Sequence, residues 1–351
     1  VASPWGEALP RSGGGEVRLK FPSSLPLNPY LHNKESVKNM KQSSILGAAL
    51  LLTATIVWGV AFVAQSSASD KIGSFTFNAA RAFIAAVLLS AIVAVKEPVV
   101  RQSALKANQL YEKAARMKRL KKSLIAGAIG GVALFAAVNF QQFGIAKYPS
   151  DTSASGRAGF LTAMYVVFVA AYTAIRHKKI HPLTALSCVG CIGGMYLLCM
   201  HGGVQKLYFG DLLEIFGALC FAAQILIIDK FSDADGVAFS CAQFWVVAIL
   251  SVIGAAIFEE VNLTDLKAAW LPVVYAGVMS GCVGYTFQIL GQKYVKPAVA
   301  SVIMSLESVF AALAGWMILK ETLSAVELCG CALVFISVVI SQLAPAEEPK
   351  N

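Results

Sequence analysis

The hydrophobic positions of this chain fall into ten long runs, at about residues 44–64, 75–95, 124–143, 153–175, 183–201, 209–228, 238–258, 270–290, 298–319 and 324–343. Short polar stretches separate them. A helix needs about 20 mostly apolar residues to cross a hydrocarbon core of about 30 Å. Backbone polar groups find no partner in lipid, so a spanning segment is a helix or a strand of a closed barrel. These runs are continuously apolar and lack the alternation of a barrel strand. The pattern therefore predicts an all-α membrane protein with ten transmembrane helices.

Two segments flank this array. Residues 1–40 are rich in Pro, Gly and Ser, show no periodicity, and are expected to be disordered or a non-native extension; Met40 stands directly before the first span. Residues 344–351 form a short polar tail.

Composition agrees. The chain is 57% hydrophobic and 14% charged, with a mean hydropathy of +0.67. Soluble domains are about 45–50% apolar and about 25% charged. The net charge of +9 does not indicate nucleic acid, because the basic residues lie between the apolar runs and are not interleaved with aromatics as a strand-binding groove requires. Their placement sets an orientation instead, since cytoplasmic loops carry the excess of Lys and Arg. With the N-terminus inside, 22 of the 29 basic residues fall in inside segments and five outside, while Arg81 and Arg157 lie within spans. Both termini are expected in the cytoplasm, and the protein in the cytoplasmic membrane.

The third and eighth spans carry nearly the same phrase. Phe140-Gln141-x-x-Gly144 recurs as Phe287-Gln288-x-x-Gly291, each followed by a Lys-Tyr pair, and "AGAIGG" from Ala126 is echoed by "AGVMSG" from Ala276. Five spans separate the copies, so the second copy lies inverted. Two inverted five-helix repeats, residues 41–201 and 209–343, follow from this. Such repeats are typical of secondary transporters, whose halves move around a site near the membrane midplane. Gly127-x-x-x-Gly131 and Gly277-x-x-x-Gly281 have the small-xxx-small spacing of close helix pairs.

Further motifs carry a family resemblance. "LLLTATIVWGVAFVAQ" contains the pair Trp58-Gly59, "FNAARAFIAAVLL" contains Arg81, and "AGFLTAMYVVFV" covers Ala158–Val169. "SLESVFAALAGWMILKETLS" contains Glu307 and Glu321, and Gly210-Asp211 opens the sixth span. In this order the motifs resemble the drug/metabolite transporter superfamily, in its EamA-like ten-helix branch. The resemblance implies transport of small organic metabolites, often amino acids and often outward. Two features depart from it. Ser308 stands where the family commonly has proline, and "VVFVAAY" in the fourth span also lacks one, so no proline-made hinge is expected in the fourth or ninth span.

A charge at the bilayer centre costs about 2.5–3.5 kcal/mol on insertion scales, so charged residues inside spans mark candidate sites. Glu307 lies deepest, where a carboxyl would bind a proton or a substrate amino group, or hold a neighbouring helix by a hydrogen bond. Arg81 suits a substrate carboxylate, or ties helices together. Arg157 and Glu214 lie near the outer ends of their spans and are candidate gate residues that would pair. The cavity lining is expected from Trp58, Asn139, Gln142, Tyr165, Gln224, Tyr285, Gln288 and Ser305. Interhelical hydrogen bonding is the alternative role for each polar member.

Other classes find little support. No His-Glu-x-x-His helix, paired intramembrane aspartates or phosphate-binding GxxxxGK[ST] loop is present, which argues against a membrane protease or an ATP-driven pump. The eight cysteines all lie in apolar runs, and Cys188-x-x-Cys191 has no second pair to complete a zinc site. Neither metal nor cofactor is expected. The sequence thus predicts a secondary transporter working by alternating access, with a small-molecule substrate, a lipid bilayer and a candidate proton gradient as partners. A structural, sensory or intramembrane enzyme role for a polytopic protein is the alternative, and the oligomeric state is left open.

Overall fold

The computed structural model describes residues 29–106, 113–149, 154–177, 180–200, 208–319 and 324–343, which are helices joined by turns. Glu321 and the tail from 344 lie outside them. The described residues before Ser43 belong to a separate unit. Helix begins there at Pro29, so residues 29–40 are helical where disorder was expected. Proline suits a first helical position because the N–H it lacks would have no helical partner there.

The first part of the chain contains α1 (Pro29–Ser69), α2 (Ser74–Lys106), α3 (Lys113–Ala146), α4 (Ala154–Ala163), α5 (Tyr165–His177) and α6 (Pro182–Met200). The second contains α7 (Phe209–Lys230), α8 (Gly236–Phe258), α9 (Leu263–Ala268) and α10 (Trp270–Tyr275). A π-helical stretch, Ala276–Gly284, joins α10 to α11 (Tyr285–Gly291). Then come α12 (Pro297–Met304), α13 (Leu306–Ala314), a π-helical turn at Gly315–Leu319 and α14 (Ala325–Gln342). Among the described residues, eight spans are long and apolar enough to cross a membrane, and two shorter apolar helices, Pro182–Leu197 and Leu328–Ser341, accompany them.

The arrangement is inside-out relative to a soluble protein. Large apolar side chains such as Ile45, Phe83, Val132, Val252 and Phe335 face outward, while Gln65, Asn78, Arg81, Gln142, Gln224 and Gln243 are buried. An apolar exterior suits lipid, and the interior offers polar groups the only partners available to them.

Glycines set the closest approaches. A Cβ at Gly131 on α3 would lie 2.8 Å from Val246 Cβ and 2.9 Å from the Gln243 carbonyl on α8. Reciprocally, a Cβ at Gly277 in the π-helical stretch would lie 2.8 Å from Ile84 Cβ on α2, and one at Gly281 2.9 Å from Ala85 Cβ. The two GxxxG motifs therefore pack, respectively, on α8 and α2. A second reciprocal pair joins other helices: a Cβ at Gly47 on α1 would meet the Gly291 carbonyl at 2.9 Å, and one at Gly210 on α7 the Gly144 carbonyl at 2.7 Å.

Two of the long spans are interrupted without proline. Met164 divides α4 from α5, its N–H reaching back three residues to the Leu161 carbonyl at 3.2 Å. Ser305 divides α12 from α13. Its hydroxyl donates to the Val302 carbonyl and that of Ser308 to the Ser305 carbonyl, both at 2.7 Å. Serine hydroxyls that bond back to the helix compete with the backbone ladder and bend it. At the position where the resemblance places proline, Ser308 thus loosens the helix by another route.

The ends of α2 and α8 are tied together. At one end Glu259 accepts from the Phe75 and Thr76 amides, each at 2.8 Å, and from the Thr76 hydroxyl at 2.7 Å. These amides belong to the first turn of α2, where a carboxylate also complements the helix dipole. At the other end Asp235 caps α8 through the Val237 and Ala238 amides and accepts from Lys96 at 2.7 Å. Burial opposes charge on Asp235, but the Lys96 and Ala238 hydrogen bonds outweigh it and hold the carboxyl below its ordinary value.

Two predictions concern stability. Gly131→Val is expected to lower the thermal-unfolding midpoint in detergent, since overpacking costs about 1–3 kcal/mol; Gly193→Ala, whose Cβ would meet only Leu333 at 3.7 Å, should not. A depressed folded-state pKa makes the Asp235 contribution complete above about pH 4, the ordinary aspartate value, and lost as pH falls through the lower one. Asp235→Asn keeps a capping side chain and should flatten this acid limb in a pH series of unfolding midpoints. Asp235→Ala should cost about a further 1 kcal/mol at neutral pH by removing the cap.

Candidate functional site

A cavity of about 450 Å³, measured out to its open side, lies among the central helices. Its wall from α1 consists of Trp58, Ala61, Phe62 and Gln65. Their spacing of three, four and seven residues places them on one helical face. Arg81 comes from α2, Gln141 from α3, Thr162 and Tyr165 from either side of the break at Met164, and Phe221 and Ile225 from α7. Ser280, Tyr285 and Gln288 come from the π-helical stretch and α11, while Met304 and Glu307 flank Ser305. Each interrupted span therefore delivers residues to the cavity from both sides of its interruption.

The π-helical stretch has a local cause and a local effect. The Tyr285 amide bonds back five residues to the Ser280 carbonyl, so these two lining residues flank one wide turn. A Cβ at Gly284 would lie 2.7 Å from the Trp58 indole nitrogen, which requires glycine there. Trp58 and Tyr285 rings then pack at 4.9 Å, and Phe244 supports Tyr285 at 5.4 Å.

Arg81 is the cavity's cationic group. Its Nε donates to Asn78 Oδ1 at 2.7 Å, and Asn78 in turn donates to Asn139 Oδ1 at 3.0 Å and to the Val138 carbonyl at 3.1 Å. The guanidinium also lies 5.4 Å over the Phe77 ring. Asn139 is thus a support behind Arg81 and does not line the cavity. Glu307 is buried and lines the same cavity. Its carboxyl and the Tyr165 hydroxyl lie close enough to interact, yet Glu307 Oε1 and Tyr165 Oη both lack a hydrogen-bond partner. No ion pair among the described residues joins Arg81 or Glu307 to a protein group of opposite charge.

Several other predicted lining residues sit one layer back. Gln142 Nε2 donates to the Gln65 carbonyl at 3.2 Å. Gln224 exchanges hydrogen bonds with Gln288, at 3.1 and 3.4 Å, and donates to Gln243 at 3.2 Å. Ser305 spends its hydroxyl on the helix break. Trp58, Tyr165, Tyr285, Gln288, Arg81 and Glu307 do line the cavity. Gln65, Thr162 and Ser280 are lining residues that inspection by residue type passed over. Helical spacing was the available signal for two: Gln65 follows Trp58 by seven positions and Thr162 precedes Tyr165 by three.

Arg157 and Glu214 do not pair. Arg157 makes a two-pronged ion pair with Asp211, Nε to Oδ1 at 2.5 Å and Nη2 to Oδ2 at 2.6 Å. Tyr148 donates to Oδ1 at 3.0 Å and the Tyr208 amide to Oδ2 at 2.9 Å. Arg157 also lies 4.9 Å over the Tyr208 ring. Burial, followed by the neighbouring acidic side chains Glu214 and Asp211, pushes the Tyr148 phenol well above its ordinary value, so it remains a donor. This cluster joins α4 and α7 beside the end of α3.

An array of apolar-faced spans around a polar cavity defines a multi-pass membrane protein. The chain belongs to the EamA-like transporter family, whose model matches residues 45–200 and 208–343. It is similar to an uncharacterized transporter of Archaeoglobus fulgidus, 28% identical over 305 residues and covering 85% of each chain. Its fold is also that of a protein solved by crystallography, with a TM-score of 0.64 at 16% identity over 86% of this chain and 96% of that one.

The Arg157–Asp211 pair carries a prediction. Arg157→Met leaves the Asp211 charge buried without a cation and should destabilise the protein by on the order of 3 kcal/mol. Adding Asp211→Asn should recover part of that loss in thermal unfolding. A double variant less stable than Arg157→Met alone would show that Asp211 is held by other groups.

Proposed function

We propose that this transporter is an alternating-access carrier for zwitterionic small metabolites of the amino-acid type, with export as its direction. The observation that carries the substrate class is the pairing of two unneutralised groups in one cavity. Arg81 offers a fixed cation for a carboxylate, and Glu307 offers a carboxyl for an ammonium. Trp58 and Tyr285 supply an aromatic wall for the remainder of the substrate, consistent with a mostly apolar site carrying a few placed polar groups.

The carrier mechanism has its own support. Ten spans arranged as two inverted five-helix repeats, 41–201 and 209–343, agree with the two stretches matched by the family model. They also agree with the reciprocal contacts of the GxxxG motifs and of Gly47 and Gly210. The interruptions at Met164 and Ser305 fall in corresponding spans, the fourth of each repeat, and supply two bending points beside the cavity. The Lys and Arg distribution supports cytoplasmic termini in the cytoplasmic membrane, and Glu307 is the leading group for coupling to a proton gradient.

Purified protein in detergent is challenged with amino acids, simple carboxylates and simple amines while thermal unfolding is followed. A ligand at a hundred times its Kd stabilises by about 2.7 kcal/mol, so amino acids should raise the midpoint more than either half-molecule. A charged hydrogen bond contributes about 1.5–3 kcal/mol, so Arg81→Ala should weaken binding of carboxylate-bearing compounds about tenfold or more. Glu307→Gln should do the same for ammonium-bearing ones. Amino acids that leave wild type unshifted, or bind both variants as tightly, would refute this substrate class.

A further inference from the structure

Glu214 on α7 is fully buried and lies outside the cavity lining. Its Oε2 accepts from the Thr162 hydroxyl at 2.9 Å, while Oε1 is buried with no partner. Thr162 itself lines the cavity and also receives the Gln141 amide at 3.0 Å. A single hydroxyl therefore stands between this carboxyl and the central cavity.

Packing gives no reason for a carboxyl at this position. Gly47 and Leu51, four residues apart on α1, lie against Gly291: a Cβ there would meet the Gly47 carbonyl at 2.9 Å and Leu51 Cγ at 2.9 Å. Gly210 and Glu214, four residues apart on α7, lie against Gly144 in the same way, a Cβ there meeting Glu214 Oε1 at 2.6 Å. Leu51 is fully buried in the apolar core. Leucine thus satisfies the contact on one side of the molecule, and glutamate occupies the matching place on the other.

Among the described residues, no ion pair neutralises it. The titratable groups facing Glu214 are Asp211 one turn away on α7 and Tyr148 beyond the end of α3. Arg157 on α4 is engaged by Asp211. The basic residues of α3 lie toward its other end, between 113 and 122. On α5, Tyr165 lies beside Glu307, and Tyr172, Arg176 and His177 follow toward the far end of that helix; α12 carries no titratable group. A buried carboxylate without a counter-charge is costly enough to favour the neutral acid.

We propose that Glu214 is a proton-binding site of the carrier, joined to the central cavity through the Thr162 hydroxyl. The assignment rests on the transport reading above and adds to it a second acid beside Glu307. Loading is a two-proton shift. A hydronium ion in the cavity gives its proton to Thr162 Oγ1 as the hydrogen already on that oxygen moves to Glu214 Oε2. The threonine ends as it began, the hydronium becomes water, and the carboxylate becomes the neutral acid. Unloading is the reverse.

Two measurements test this. Infrared spectra of the purified protein, taken as pH is varied across the neutral range, should contain a protonated-carboxyl band that responds to pH and is missing in Glu214→Gln; Glu307→Gln should remove a different component. A Glu214 band that stays constant over that range, or a set of bands unchanged by Glu214→Gln, overturns the proposal. In vesicles containing a pH-sensitive dye, a gradient of mixed L-amino acids should move protons with wild type. Protons moved per amino acid should fall by about half in Glu214→Gln and in Thr162→Val, with Glu307 carrying the remainder, and Thr162→Ser should restore what Thr162→Val loses. An unchanged ratio in Glu214→Gln overturns the proposal as well. If wild type moves no amino acid, the substrate class proposed above fails, and the infrared comparison still decides whether Glu214 binds an exchangeable proton.

Discussion

Lipid gives a polar group nothing to bond to, and most of this molecule's internal arrangement follows from that. A charge at the bilayer centre costs about 2.5–3.5 kcal/mol even by the mildest scales. Polar side chains on these apolar spans must therefore turn inward and satisfy one another. They do so in layers. Asn139 holds Asn78, which holds Arg81 at the cavity. Gln243 and Gln224 stand behind Gln288 in the same manner. The outer layer provides hydrogen bonds that fix position, and the inner layer presents groups still free to bind something else.

Close helix contact is the second requirement, and glycine meets it. Helix association in lipid depends on van der Waals packing, so small residues must let backbones approach. The approaches here come in reciprocal pairs, α3 on α8 and the π-helical stretch on α2. The same closeness at Gly284 admits the Trp58 indole and sets the aromatic wall of the cavity. Glu214 is where such a pairing departs from likeness, with a carboxyl opposite Gly144 and a leucine opposite Gly291.

Rigid and yielding parts are distributed differently. The ends of α2 and α8 are held by charge-assisted hydrogen bonds at Glu259 and Asp235, and α4 is held to α7 by Arg157 and Asp211. Near the cavity, by contrast, the backbone ladder is broken at Met164 and Ser305 and widened between Ser280 and Tyr285. A proposed carrier needs this combination: bodies that move as units, and bending points close to the bound molecule.

How much of this the sequence determines depends on the range of the interaction concerned. Continuous apolar runs mark the membrane-spanning helices because the thickness of the bilayer acts on each segment separately. Arg81, Glu307, Trp58 and Tyr285 are legible as candidate cavity residues because a charged or large amphipathic side chain inside a span is conspicuous wherever its neighbours lie. Asn139, Gln142 and Gln224 look the same in sequence as Gln288, and only packing decides which amide reaches the cavity and which spends its hydrogen bonds behind it. Arg157 lies on α4, and two acids one helical turn apart, Asp211 and Glu214, lie on α7. The rotation of α7 against α4 gives it Asp211 and leaves Glu214 to Thr162. Serines can bend the span around Glu307 in place of proline because the hydroxyls of Ser305 and Ser308 each find a carbonyl one turn back, a choice of partner made by local geometry and not by residue type. The sequence by itself determined which segments enter the membrane and which charges they carry in; the tertiary structure decided how those charges are partnered, because each partner comes from a helix distant in the chain.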